Sequence, residues 1–173
     1  MSELADLLER YRRGAELLAV ATTGAAGPVL DYREDGKWSV RQIVCHLADT
    51  EAVCAMRFRQ VVAEDNPSMP ATQQEAWSAN LDYQKRKLSQ VLEVVRILRA
   101  YNYELLAGLP EAAFDRTGVH SEAGQVTLRD LLRIYAQHLE HHVAQLQAAR
   151  AAYKEFKAKQ APAPAAPLAP TEP

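Results

Sequence analysis

The sequence predicts an all-α fold, a four-helix bundle, on three observations. Apolar residues recur at threes and fours through four long segments, and breaker-rich stretches separate those segments. No alternating apolar/polar run or fixed-period repeat competes with the helical pattern. At 173 residues, 48% hydrophobic and 24% charged, the chain is long enough for one domain with a full core.

The first helix is predicted over 2–20, with Leu4, Leu7, Leu8, Tyr11, Leu17 and Leu18 near helical spacing. "TTGAAGPVLDYREDGKW" then breaks the pattern. The second runs from an N-cap at Ser39 to about Glu64, with Val40, Ile43, Val44, Leu47, Cys54, Phe58 and Val62 on its inner stripe. Pro67 and Pro70 oppose its continuation. The third spans 73–107, carrying Leu81, Leu88, Val91, Leu92, Val95, Leu98, Leu105 and Leu106, with Gly108 and Pro110 as stop signals. A polar connection leads to Thr127, an N-cap with Asp130 three residues on, and the fourth helix covers 128–157. The domain is thus expected over 1–157. Residues 158–173, Ala/Pro-rich, are expected to form a disordered tail.

Charge narrows the function. The formal net charge is -2, and Lys and Arg are scattered among acids, so no basic field for nucleic acid exists. No stretch reaches the roughly 18 apolar residues that a membrane helix needs, and the acidic, amphipathic N-terminus is unlike a signal peptide. A cytoplasmic protein acting on a small molecule is the expectation. Cys45 and Cys54 lie about 13.5 Å apart along one helix, beyond the roughly 7 Å Cα separation of a disulfide.

"AQHLEHHVAQL" holds three of the five histidines. On a wheel of about 100° per residue, His138 and His142 share the apolar face of the fourth helix, and His141 sits on its margin. His46 leans inward from the second helix. An i, i+4 histidine pair on one helix can bind one transition metal, and a histidine from a facing helix would complete a three-imidazole site with an open position. Hydrogen-bonded interior histidines fit the same pattern. His120 reads as a surface loop residue, and Asn102 as a buried polar group with a structural partner. Asp49 and Glu51 are candidates to orient an imidazole or else a solvated helix flank.

"KWSVRQIVCHLADTE" and "GQVTLRDLLRIYAQHLEHHVAQL", in this order, resemble the DinB/YfiT-like superfamily over about residues 4–150. Its most specific parts here are the tryptophan-led "HL.D.E" helix and the "H..HH..Q" helix. The resemblance implies an up-down-down-up bundle, commonly a homodimer. It implies a divalent metal, nickel or zinc, on His46, His138 and His142, with His141 outside the ligand set. It further implies transfer of a low-molecular-weight thiol to an electrophile at that metal. The same site would serve a hydrolase through an activated water. A third reading, from another class, is a non-catalytic stress-response scaffold that binds a partner.

Overall fold

The computed structural model describes residues 2–160. Its elements are α1 (Glu3–Thr22), α2 (Val40–Ala63), β1 (Ser68–Met69), α3 (Gln74–Asn80), α4 (Leu88–Ala107), β2 (Thr117–His120), β3 (Gly124–Thr127) and α5 (Leu128–Gln160). Four long helices, α1, α2, α4 and α5, make the bundle.

Side-chain pairs give the helix directions. Arg133 reaches Glu3 and Arg10 reaches Glu140, so α1 and α5 run parallel. Glu51 meets Arg99 and Arg59 meets Asn102, so α2 and α4 run parallel as well. His46 lies against His138 and Arg57 against Tyr135, which makes α2 antiparallel to α5. The order is therefore up-down-down-up. Parallel neighbours need a long crossover, and residues 64–87 supply it between α2 and α4.

Local signals set the ends of α2 and the start of α5. Ser39 Oγ accepts from the Gln42 amide at 3.2 Å, and Gln42 Oε1 accepts from the Ser39 amide at 3.0 Å, a reciprocal cap. At the other end, Arg116 donates to the carbonyls of Val61 and Glu64, which satisfies the C-terminal acceptors. Thr127 and Asp130 form the same reciprocal arrangement before α5.

Three expectations need correction. The predicted third helix is two: a short α3 and α4, separated by residues 81–87. Asp82 breaks it by adopting a left-handed backbone, φ 52°, which Asp tolerates better than most residues. Leu81 is consequently 38% exposed and outside the core. The polar connection after α4 is no plain loop. β2 and β3 pair antiparallel and β1 adds parallel to β2, a three-stranded sheet whose strands are too short to show a period. On α1, Leu17 points outward and is exposed. Residues 158–160 continue α5, and residues 161–173, the rest of the expected tail, lie outside the described residues.

The core is in two apolar clusters, stacked along the bundle. One includes Leu7, Phe58, Phe114 and Leu132; the other includes Leu18, Val44, Val95 and Leu146. Between them lies a polar layer. The Arg99 guanidinium, 1% exposed, is ion-paired with Glu51, donates to the Tyr11 carbonyl at 2.6 Å, and lies over the Tyr11 ring. Gly14 makes room for it: a Cβ there would stand 2.8 Å from the guanidinium carbon. Asn102 donates to the Tyr11 hydroxyl and accepts from Arg59, the structural role expected of it. Arg99 also donates to the carbonyl of Tyr135, three residues ahead of His138 on α5, at 3.3 Å.

Candidate metal centre

His46 of α2 and His138 and His142 of α5 converge. His138 Nε2 stands 3.2 Å from His46 Nε2 and 3.1 Å from His142 Nε2, and the three candidate ligand atoms all lie within 4.8 Å of one another. Packing holds the rings in this arrangement. The Trp38 indole, just ahead of the α2 cap, meets the His46 ring edge-on at 4.9 Å and stacks on His142 at 6.1 Å. The His142 ring is further oriented from behind. Its Nδ1 lies 2.9 Å from Gln145 Oε1, an acceptor, so the ring proton sits on Nδ1 and the Nε2 lone pair is free. Gln145 in turn donates to His141 at 2.9 Å.

Burial prepares the same nitrogens chemically. It lowers His46 to about 4, with His142 a further contributor. Burial lowers His138 to about 3, helped by His142 and His46 and by the buried Arg99 cation. His142 is lowered for the same first reason. All three imidazoles are neutral near pH 7, the form that ligates a metal. The donor set of three imidazoles suits a late divalent transition metal. Among the described residues no Cys, Asp or Glu joins the cluster.

The remaining candidates fall elsewhere. Asp49 accepts from the Tyr83 hydroxyl at 2.5 Å, and Glu51 belongs to Arg99 and Tyr11; neither touches an imidazole. Of the two readings open for them, orienting a histidine is met by neither, and Glu51, 2% exposed, is no solvated flank either. Cys45 and Cys54 are free and buried, and burial pushes the Cys45 thiol up to about 11. His120 lies at the end of β2 instead of in a loop; half-buried, it lines a cavity of about 270 Å³ together with His46 and His138. A second cavity, about 460 Å³, is lined by His142, Gln145, Trp38, Arg33 and Lys37. Gln74 of α3 lines both, so the histidine cluster lies where two cavities meet. Sequence reasoning assigned no role to Gln145, Trp38 or Arg57. The first two were visible only as the fixed ends of the two histidine motifs.

The fold and the site together define a class: a four-helix bundle of parallel-pair topology with an inter-helix cluster of three histidines. The DinB superfamily pattern matches residues 6–146, and the chain belongs to that superfamily. A Bacillus subtilis relative named "Putative metal-dependent hydrolase YfiT" is 33% identical over 116 residues, 66% of this chain and 65% of its own length. A Geobacillus kaustophilus protein with the same description is 36% identical over 121 residues, covering 69% of this chain and 67% of its own length. The chain thus aligns with about two thirds of these relatives' length. The solved structure of YfiT, described as having an unusual four-helix bundle topology, superposes with a TM-score of 0.82 at 26% identity. The match covers 89% of this chain and 90% of that one. No described helix is long and apolar enough to cross a membrane.

Proposed function

We propose that the chain is a metal-dependent thiol S-transferase, with His46, His138 and His142 as the ligands of a divalent nickel or zinc ion. The carrying observation is the convergence of three neutral imidazoles, without a fourth protein ligand among the described residues, at the junction of two cavities. A bound divalent ion would lower the pKa of a thiol or water and polarise an electrophile. The chain's own residues do the rest. Trp38 and Gln145 fix the imidazoles, burial keeps them unprotonated, and the two cavities separate two reactants on either side of the cluster.

Two cavities favour a two-substrate transfer over a reaction needing one substrate and water. The names of the relatives favour the second reading, hydrolysis at the same site. Thiol dependence separates the two. The first test is metal content by plasma mass spectrometry on wild type and His142→Ala, followed by turnover with and without low-molecular-weight thiols. Near-stoichiometric metal lost in the variant, and turnover only with thiol, are the expected results. Thiol-independent turnover would replace transfer by hydrolysis. A wild type that stays metal-free after incubation with nickel or zinc would overturn both. The working form is taken to be a cytoplasmic homodimer acting on a small molecule.

A further inference from the structure

We propose that the cavity shared by His46, His138 and His120 is a carboxylate site, in which Arg57 holds the anionic group of the electrophilic substrate. The inference rests on the two-substrate reading above and adds what the second substrate must carry.

Arg57 of α2 is 8% exposed, yet its guanidinium has only neutral partners. It donates to the Tyr135 hydroxyl at 2.8 Å and to the Pro70 carbonyl at 2.5 Å. No carboxylate lies within ion-pair distance of it among the described residues, whereas Arg99, also buried in the same bundle, has Glu51. A buried cation without a counter-charge is costly, and buried charges are almost always paired. Two of the five guanidinium N–H groups are engaged, so Arg57 brings spare donor capacity to the cavity it lines.

Two further donors line the same space. The Tyr135 hydroxyl accepts from Arg57, and its own proton has no acceptor among the described residues. The His120 Nδ1 accepts from the amides of Glu122 and Ala123, both at 3.3 Å, so the ring proton belongs to Nε2. The β2–β3 hairpin, whose tight turn supplies those amides, thus sets the tautomer. No Asp or Glu lines the cavity. Its other walls include Val53, Trp77, Leu131 and Ile134. The Arg57 cation with the Tyr135 and His120 donors, in a cavity with neutral polar groups at Thr50, Thr72 and Gln74 and apolar walls elsewhere, describes a receptor for a small carboxylate with a compact apolar body.

Benzoate is a suitable probe, with benzamide as its uncharged counterpart of the same shape. Binding is measured by calorimetry on the full chain, both metal-loaded and chelator-stripped. The expected result is benzoate binding in both forms, with benzamide weaker by about tenfold or more. Arg57→Gln should lose that preference while retaining metal, Arg57→Lys should recover part of it, and His120→Phe should weaken benzoate binding. Benzoate binding that disappears on stripping and survives R57Q would put the carboxylate on the metal and overturn the proposal. Equal affinity for benzoate and benzamide, or no benzoate binding in either form, would overturn it too. The benzoate/benzamide comparison in wild type stays decisive if R57Q fails to fold. Because the stripped protein is tested, the outcome is independent of whether the metal supports thiol transfer.

Discussion

His142 is the member of the triad whose tautomer another side chain sets, through Gln145 at 2.9 Å. Removing Gln145 leaves all three histidines in place but frees the His142 ring to rotate and to carry its proton on Nε2, where it would block ligation. Partners behind a metal ligand are typically worth about 10–100-fold in affinity. Gln145→Ala should therefore weaken nickel or zinc binding by about that factor, read by competition against a chromophoric chelator. His141→Ala, one bond further out, should do less, and equal effects would assign the orienting role wrongly. The convergence of the histidines was legible because an i, i+4 pair on an apolar stripe, and a third histidine leaning inward from α2, need only helical periodicity. Gln145 was not, since a polar residue on a helix flank looks the same whether or not it grips a ring. That Arg57 and His120 share a cavity was hidden for a different reason: it depends on which elements lie opposite them, and spacing within one segment carries no such information.

The four long helices were readable because each buries a stripe and two of them open on explicit caps. The sheet and the break at Asp82 were not, because two- to four-residue strands and one left-handed residue leave no periodic trace. Of the polar layer between the apolar clusters only Asn102 was visible; the Arg99–Glu51 pair was hidden. Glu51 reads in sequence as an imidazole partner or a solvated acid, and only the opposing α4 and the gap at Gly14 turn it into a buried partner for Arg99. Burial raises the Glu51 carboxyl, and Arg99 opposes that by holding the charged form. Arg99→Met leaves a buried carboxyl without its counter-charge, so a loss of about 3–5 kcal/mol is expected in urea unfolding. The double variant Arg99→Met, Glu51→Leu should recover most of it, because two apolar groups remove the unpaired charge. A double variant as unstable as the single one would show that the hydrogen bonds to Tyr11 matter more than the ion pair.

At the scale of the whole bundle, the histidine cluster ties α2 to α5, and a metal held there would compete with protons for the same three nitrogens. In the folded chain His46 is lowered to about 4 and His138 to about 3, while an unfolded histidine titrates near about 6.5. Between those values the unfolded chain binds more protons than the folded one, so stability falls with falling pH. The contribution is complete above about pH 6.5 and is lost progressively as pH drops through the folded values near 4 and 3. A bound ion adds to this, because it favours the folded state alone; at a thousand times its Kd the gain is about 4 kcal/mol. Scanning calorimetry with and without zinc should therefore show a metal-dependent rise in Tm at neutral pH that shrinks on acidification, as protons displace the ion. His142→Ala should abolish the zinc effect and leave a smaller slope with pH. A metal-free protein whose Tm is flat from neutral pH to about pH 5 would mean that these imidazoles are not held neutral by the fold. The donor set would then lose the preparation that burial gives it, whatever ion it binds.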